Sequence, residues 1–459
     1  MASTSTRPNI LFIFADDWGW GDLGCYGHRH VRTPHLDRLA AEGTLFSQFY
    51  VCSGVCSPSR AAVMTGRFPA RFGIHGHFAT HERNADRGMP NWLDPSATTV
   101  TGLFQQAGFR VGHFGKWHLG NGGGAPPPTA YGIDEFDEPS CPIVYTDPSH
   151  TGTRASSSQE IVDQAIGFLE QGRAGPGGGA DPFFLNVWLY DTHASLDPNE
   201  EQLERYVDYM PLHVPHAGAT AIYYATVTEA DLQIGRLLAK LDELGLADDT
   251  VVIFSADNGP EDMEIRNSAH SGVGSAGPFR GRKRSLYEGG VRVPFILRWP
   301  GNTPAGVVND ATPLCAVDLL PTLCELAGVA VPSAAAADGE SMAAAFRGEQ
   351  RPRSTPLLWE WRFHIYGHVL HRSPMLAIRD GAWKLLRNPD GDRVELYRIP
   401  DDPSELDNRA GAEPELVQRL SARAHAWQAS LPTGPVSPDA GSNAYPWPGT
   451  DHREDALFS

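Results

Sequence analysis

A run of residues near position 60 combines a cysteine, a proline and an arginine in a spacing that favours anion chemistry. Pro58 suits the first turn of a helix, and Gly66 is placed to end that helix in a left-handed cap. Cys56 would then lie at the helix N-terminus, where partial positive charge favours an anion or an ionised nucleophile. Arg60 follows four residues later on the same face. The pattern predicts a nucleophile beside a fixed cation; the alternative is a buried structural cysteine at a helix start.

Several apolar runs end in side chains of the types that bind metals or move protons. Residues 9–15, 183–189 and 251–255 are continuous apolar runs, typical of strands buried on both faces of a parallel sheet, and 109–114 is a further strand candidate. The polar side chains that follow these runs are Asp16, Asp17, Lys116, His118, His193, Asp257 and Asn258. Ligands of open parallel sheets bind beyond the carboxyl ends of the strands. We therefore expect these side chains to meet at one edge of the sheet.

Each of these groups also has a simpler interpretation. The adjacent carboxylates of Asp16 and Asp17 repel each other, so a cation is their natural compensation, but a helix cap or a surface loop would also accommodate them. Lys116 and His118 are two residues apart and would share a face in extended backbone. A lone Lys–His pair is usually a solvated edge, and its position after a strand is what favours a functional site.

Three segments together resemble the signatures of type I sulfatases. The sequence CSPSR at 56–60, continued by MTGR at 64–67, resembles the first signature, and GKWHLG at 115–120 resembles the second. The segment GPFRGRKRSLYEGG at 277–290 resembles the part of that family that carries a further active-site lysine. Matching back from residues 287–290 assigns that lysine to Lys283, which Arg282 and Arg284 flank. Ser195 stands where the family commonly has a proline.

The resemblance covers roughly residues 8–408, and its motifs occur in the expected order. It implies an α/β, alkaline-phosphatase-like fold with a large, mostly parallel central sheet flanked by helices, plus a small C-terminal antiparallel sheet with a helix. The domains would be a catalytic domain at 1–350, an α+β subdomain at 351–435 and a tail at 436–459. The dipeptide Asp380-Gly381 between two short apolar runs independently indicates a β-hairpin in the subdomain.

The resemblance also implies the cofactors and the catalytic roles. Cys56 would be oxidised to Cα-formylglycine by a formylglycine-generating enzyme, and the hydrated aldehyde would be the nucleophile. A Ca²⁺ ion, with Mg²⁺ as the alternative, would be held by Asp16, Asp17, Asp257, Asn258 and one oxygen of the modified residue 56. Lys283 and His193 would protonate the leaving oxygen, and His118 would take a proton from the second hydroxyl. Arg60 and Lys116 would stabilise charge on the sulfuryl oxygens.

The substrate is predicted less directly. The resemblance is to arylsulfatase A-like and N-acetylgalactosamine-6-sulfatase-like members, so a sulfated saccharide is the preferred substrate and small aryl sulfates are surrogates. The candidate substrate-binding residues are His77, Arg83, Arg282, Trp361 and His364. Residues 75–83 read equally well as a solvated loop, and the aromatic residues and histidines near 359–371 as interdomain packing. The competing functions are phosphonate or phosphate monoester hydrolysis and a non-catalytic metal-binding relative with unconverted Cys56.

Composition limits the partners and the compartment. The chain has 459 residues, an apolar share of 41% and a formal net charge of −18, which excludes general disorder and argues against nucleic acid or an anionic membrane as a partner. The same charge repels a sulfate ester, so Arg and Lys must be concentrated in one pocket. The six cysteines show no disulfide spacing, and Cys315 and Cys324 are expected in one helix. No secretory signal is visible, which predicts a cytoplasmic protein, or a secreted or periplasmic one if a signal was removed.

Overall fold

The computed structural model describes residues 7–120, 122–139, 154–172, 181–208, 217–262 and 270–444. The strands within these residues are β1 (Asn9–Ala15), β2 (Thr44–Tyr50), β3 (Arg110–Gly115), β4 (Glu135–Asp137), β5 (Phe183–Trp188), β6 (Thr250–Ala256), β7 (Arg292–Arg298), β8 (Val307–Asn309), β9 (Leu314–Cys315), β10 (Leu357–Glu360), β11 (Leu376–Asp380), β12 (Trp383–Arg387) and β13 (Val394–Arg398). The helices are α1 (Pro34–Ala41), α2 (Cys56–Thr65), α3 (His81–Asp86), α4 (Val100–Gln106), α5 (Ser157–Gln171), α6 (Glu200–Glu204), α7 (Ala217–Glu243), α8 (Glu288–Val291), α9 (Leu319–Ala327), α10 (Ala343–Phe346) and α11 (Pro414–Ala429).

The large sheet has nine strands in the order β4-β3-β5-β1-β6-β7-β2-β8, and β9 pairs with β2. Strands β3, β5, β1 and β6 run parallel, and every residue of β1 and β6 is buried. Helices α1, α5 and α7 pack together, as do α2, α4 and α9, so helices flank the sheet. The mostly parallel architecture is therefore as predicted, and the four predicted strands are adjacent in its centre.

The sequence patterns did not indicate β2 and β7, which pair antiparallel and make the sheet mixed. β7 is fully buried but carries Pro294 in its interior and arginines at both ends, features that argue against a central strand. β2 contains Ser47 and Gln48 at half-buried positions, which interrupt its apolar run. The sequence patterns therefore did not predict β2 and β7, because polar residues and a proline interrupt their apolar runs.

The C-terminal part folds as the sequence predicted. Strands β10, β11, β12 and β13 form an antiparallel sheet in that order, and α11 packs against β11 and β12. The β11–β12 hairpin turns at Gly381, which has φ of 59°. Residues 445–459 of the predicted tail and 173–180 of a predicted loop lie outside the described residues. No helix in the described part is long and apolar enough to cross a bilayer.

Two smaller expectations are corrected. Cys315 belongs to β9 and Cys324 to α9, so the two cysteines do not share a helix, although both are buried. Residues 81–86 within the histidine-rich loop form the short helix α3, because the Thr80 side chain accepts a hydrogen bond from the Arg83 N–H and caps its first turn.

The small sheet is attached to the large one by buried polar contacts. Trp359 of β10 donates its indole N–H to the carbonyl of Val51 at 2.7 Å, in the segment that leads into α2. Lys384 of β12 lies between two buried carboxylates, 2.9 Å from Glu288 and 3.0 Å from Glu405. The charge of Lys384 is therefore shared between the two parts of the chain.

Replacing Lys384 with methionine is expected to destabilise the fold by about 3–5 kcal/mol, because two buried carboxylates lose their common cation. Burial raises the pKa of Glu405 to about 7, with a further contribution from Glu288. Without Lys384 the native-state pKa of Glu405 rises further above its unfolded value, and the pKa of Glu288, which Lys384 now holds below its usual value against the effect of burial, rises as well. The native state then binds more protons than the unfolded state, so the loss should be larger at pH 8 than at pH 5. Urea unfolding of K384M checks this, and K384M/E405Q should recover part of the stability.

Candidate active site

Helix α2 presents Cys56 at its N-terminus, as its sequence predicts. The preceding residue, Val55, is extended, and Cys56 begins the helix with 2% of its surface exposed. Gly66 ends the helix with φ of 65°, and its N–H bonds to the Ala62 carbonyl at 2.9 Å. All residues of α2 are buried, so the cysteine is held on a rigid element within the interior.

Arg60, one turn further along α2, is fixed from several directions. Its Nε and Nη2 donate to Oδ2 of Asp257 at 3.0 and 2.7 Å, and its Nη1 donates to the backbone carbonyl of Lys116 at 2.9 Å. The guanidinium lies 5.5 Å from the ring centroid of Phe14 and 5.1 Å from that of Trp188. The side chain is completely buried, so its charge acts in a region that excludes water.

Three carboxylates meet at the edge where β1 and β6 end. Oxygens of Asp16, Asp17 and Asp257 all lie within 4.8 Å of one another, and the three residues are buried. Asn258 donates to Asp17 Oδ1 at 2.7 Å, which places its amide in the same cluster. Lys116, which follows β3, forms an ion pair with Asp16. The structure thus brings together the residues that the sequence placed beyond separate parallel strands.

The cluster fits a hard divalent cation. Asp16 Oδ1 and Asn258 Oδ1 are buried without a hydrogen-bond partner among the described residues, and Arg60 Nη2 lies 3.9 Å from Asp16 Oδ1. Burial raises the pKa values of Asp17 and Asp257, and the charge of Asp16 raises both further. Carboxylate and amide oxygens are ligands that Ca²⁺ and Mg²⁺ prefer, and the three residues grouped within 4.8 Å of one another are all carboxylates.

Three cations interact electrostatically with Cys56. Burial alone would lower the pKa values of Arg60, Lys116 and Lys283, but the nearby carboxylates and Cys56 raise all three. Cys56 therefore lies within electrostatic reach of each cation. Each cation is also paired with a carboxylate of the cluster, Arg60 with Asp257, Lys116 with Asp16 and Lys283 with Asp17, so three cations and three carboxylates share one buried site.

His118 is held neutral and in a defined tautomer. Its backbone is left-handed, with φ of 51°, so the extended geometry expected for residues 116–118 does not occur. Nε2 lies 3.1 Å from the Phe78 carbonyl, which can only accept, so Nε2 carries the proton. Nδ1 is buried without a partner among the described residues and can accept a proton. Burial and then Lys116 lower the pKa of His118 to about 3.

His193 lies beyond β5 and is half-buried. Its Nδ1 lies 2.9 Å from the Ala194 carbonyl and therefore donates to it. Burial would raise the pKa of Asp16, but Lys116 and then His193 contribute most to holding it well below its usual value. The backbone of the two preceding residues also bonds to that of Asp16, with the Asp16 N–H donating to the Asp191 carbonyl at 3.2 Å and the Thr192 N–H donating to the Asp16 carbonyl at 2.7 Å. His193 is therefore delivered beside the carboxylate cluster, as the strand pattern indicated.

The basic run 282–284 separates into three environments. The Lys283 ammonium lies 2.6 and 2.7 Å from the two oxygens of Asp17, and 3.5 Å from Glu261. Arg284 forms a bidentate pair with Glu261, at 2.5 and 3.2 Å. The geometry thus joins Lys283 to the carboxylate cluster. Glu261 was missed by the sequence reasoning, since it belongs to no recognised motif and follows β6 by five residues.

Arg282 points away from the cluster. Its guanidinium donates to the backbone carbonyls of Glu261, Gly272 and Gly274 at distances of 2.9, 2.8 and 2.7 Å. These contacts tie together the loop that follows β6.

A pocket of about 290 Å³ opens beside this centre. Among the predicted substrate-binding residues, His77, Trp361 and His364 line it, whereas Arg83 is exposed on α3 and, like Arg282, is not part of the lining. His77 is connected to the centre through its neighbour Phe78, whose N–H donates to Ser57 Oγ of α2 at 3.0 Å.

Comparison with known proteins places these features in context. Residues 8–329 match the family model described as Sulfatase, and 277–428 match the one described as N-sulphoglucosamine sulphohydrolase, C-terminal. N-acetylgalactosamine-6-sulfatase of Canis lupus familiaris is 35% identical over 381 residues, covering 76% of this chain and 68% of the relative. Arylsulfatase A of Homo sapiens is 31% identical over 459 residues, covering 90% and 86%.

Solved structures are similar over nearly the whole chain. The structure described as Ps i-CgsB in complex with k-i-k-neocarrahexaose has a TM-score of 0.77 and 25% identity, covering 95% of this chain and 96% of that one. The PsFucS1 sulfatase from Pseudoalteromonas sp. has a TM-score of 0.73 and 23% identity, covering 96% and 92%. These likenesses identify the fold as alkaline-phosphatase-like.

Proposed function

Because this chain belongs to the sulfatase family, whose members are sulfuric ester hydrolases, we propose that it hydrolyses a sulfate monoester of a sulfated sugar. In this proposal Cys56 is converted to Cα-formylglycine by a formylglycine-generating enzyme, and Ca²⁺ occupies the carboxylate cluster. The observation that carries it is the position of Cys56, at the N-terminus of a buried helix and within electrostatic reach of Arg60, Lys116 and Lys283.

The metal would be held by Asp16, Asp17, Asp257, Asn258 and residue 56. Bound there, Ca²⁺ would supply positive charge that favours an ionised hydroxyl and offsets charge on sulfuryl oxygens. Formylglycine would supply a hydrated aldehyde, with one hydroxyl to attack sulfur and a second to permit release of the sulfate.

The remaining steps belong to the chain's own side chains. Arg60 and Lys116 are rigid, buried cations that would stabilise the anionic sulfuryl group as its charge shifts. Lys283 Nζ is kept protonated by Asp17 and Glu261 and, with His193, would deliver a proton to the leaving oxygen. His118 Nδ1, which has no hydrogen-bond partner within the described part of the chain, would accept the proton of the second hydroxyl.

A saccharide substrate is supported by the pocket and by the relatives. Trp361, Phe363 and Tyr366 supply aromatic faces in the pocket, and such faces suit sugar rings. One relative is named N-acetylgalactosamine-6-sulfatase, and one similar structure is described as a complex with k-i-k-neocarrahexaose.

The proposed function predicts activity on a small aryl sulfate that exceeds activity on the matched aryl phosphate by at least about 100-fold in kcat/KM. A cationic site built for one type of tetrahedral anion discriminates by differential binding of the transition state. Steady-state kinetics on the pair of 4-nitrophenyl esters tests this, together with peptide mass spectrometry at Cys56. A preference for the phosphate would support the phosphomonoesterase alternative, and an unmodified thiol in an inactive protein would support the non-catalytic one.

A further inference from the structure

The pocket lined by His77, Arg87, Arg284, Trp361, Phe363 and Tyr366, which we call the side pocket, adjoins the reaction centre through the backbone on two sides. His77 precedes Phe78, whose carbonyl accepts from His118, and Arg284 follows Lys283, which contacts Asp17. The side pocket therefore offers space beside the reaction centre for the rest of a substrate whose sulfate lies between Arg60 and Lys283.

Two basic groups of the pocket are already paired with carboxylates. Arg284 forms its bidentate pair with Glu261, and its guanidinium lies 5.5 Å from the Tyr366 ring centroid. His364 forms an ion pair with Asp439 at 2.5 Å. These two basic groups are therefore committed to carboxylates of the protein.

Arg87 differs from them. Its guanidinium donates to the backbone carbonyl of His77 at 3.2 Å and lies 5.5 Å from the ring centroid of Phe363. Among the described residues no carboxylate oxygen lies within 4.0 Å of it, although exposed Asp86 is its neighbour in the chain and also lines the pocket. Guanidinium remains charged in proteins, so Arg87 offers an uncompensated cation on a half-buried surface.

Two nearby arginines, Arg83 and Arg284, increase the positive electrostatic potential around Arg87. Burial lowers the pKa of Arg87, and the charges of Arg83 and Arg284 lower it further, because the three guanidinium groups repel one another. His77 next to it is kept neutral by burial and then by Arg87 and Arg284, which together lower its pKa. An incoming anion would relieve this repulsion, whereas a neutral hydroxyl would not.

We propose that Arg87 determines substrate specificity by binding a second anionic group, a carboxylate or another sulfate, on the saccharide whose sulfate ester is cleaved. The contact between Arg87 and Phe363 restrains the guanidinium, which lines the side pocket, and an anion bound there would accept a bidentate interaction from its remaining donors. The inference rests on the proposed function for the identity of the reaction, but it concerns recognition away from the sulfur. The preferred substrate is then a saccharide with at least two anionic groups.

Binding can be measured without turnover. In a Cys56→Ala background, calorimetry would compare three disaccharides that carry the same sulfate ester: one with a neutral second sugar, one with a uronate and one with a second sulfate. We expect Arg87→Gln to weaken binding of one or both of the dianionic disaccharides by about tenfold to 100-fold, the effect of losing a hydrogen bond to a charged group. Binding of the neutral-sugar disaccharide should change less than about twofold. The dianionic ligand that responds identifies the group.

Arg83→Gln is the matched control, since Arg83 carries the same charge four residues earlier, in α3, and is exposed outside the lining. It should weaken binding of the dianionic disaccharides much less than Arg87→Gln does, because it removes only a distant charge and no direct contact. Arg87→Lys should retain part of the preference, because the charge persists without the planar fork.

In the unsubstituted background, Arg87→Gln should raise KM for the dianionic substrate with little change in kcat, and leave 4-nitrophenyl sulfate kinetics unaffected. Equal weakening of all three disaccharides, or none, would overturn the role of Arg87. Failure of the proposed function would show separately, as a protein with Arg87 intact that hydrolyses no aryl sulfate.

Discussion

Replacement of Cys56 by serine is expected to abolish multiple turnover of an aryl sulfate, with a loss of kcat on the order of 10⁴-fold or more, the scale seen when a covalent nucleophile is removed. Serine offers one hydroxyl at the N-terminus of α2, so a sulfate ester formed on it has no second hydroxyl on the same carbon from which to collapse. We therefore expect at most one equivalent of phenol product per protein, measured as a burst without a steady-state phase.

Cys52→Ser provides a control for this experiment. Cys52 is also buried, four residues earlier, and its sulfur lies 3.5 Å from that of Cys315. Its replacement removes a packed thiol without removing the nucleophile, so activity per folded molecule should persist. Normal turnover by the Cys56→Ser protein would refute the assignment of residue 56.

Asp257→Asn is expected to remove most of the calcium affinity and to lower kcat/KM on the order of 10³-fold. The carboxylate both belongs to the proposed metal cluster and fixes Arg60 through two hydrogen bonds. The substitution keeps the size of the side chain but removes the charge that attracts a divalent ion and orients the guanidinium. Equilibrium dialysis with Ca²⁺ and the calcium-dependent rise in Tm measure the binding independently of catalysis.

Asp22→Asn is the matched variant. Asp22 is equally buried, but it accepts hydrogen bonds from Tyr223 and from the backbone N–H groups of Gly19 and Ser275, outside the carboxylate cluster. Its replacement should cost stability while the calcium-dependent shift in Tm is preserved. Unchanged calcium stoichiometry and an unchanged Tm shift in the Asp257→Asn protein would place the ion elsewhere.

The sequence could predict that the polar side chains of the reaction centre lie close together, because this follows from the geometry of a parallel sheet. Uninterrupted apolar runs identify β1 and β6 as buried parallel strands, and such strands end at the same edge. Asp16 and Asp257 were therefore expected at the same edge of the sheet despite their separation in the chain, and the pairing of β1 with β6 makes them neighbours. Helix α2 could also be predicted from the sequence, because Gly66 ends it in a left-handed backbone conformation that few other residues adopt easily.

Features that depend on tertiary contacts could not be predicted in the same way. Periodicity does not reveal which of three consecutive basic residues turns inward, and the contacts of Lys283 with Asp17 are made across the fold. Arg87 resembles any charged residue at the end of a short helix until Phe363, far along the chain, is seen beside it. Strand β7 was not predicted, because a proline such as Pro294 argues against a central strand.

The hydrogen bond from Trp359 to Val51 makes the position of the nucleophile depend on a strand some three hundred residues downstream. A substitution in the small sheet that weakens this hydrogen bond is therefore expected to lower kcat while substrate affinity stays nearly unchanged. Substitutions near Trp359 should accordingly be tested for a lower kcat in the folded protein as well as for a loss of stability.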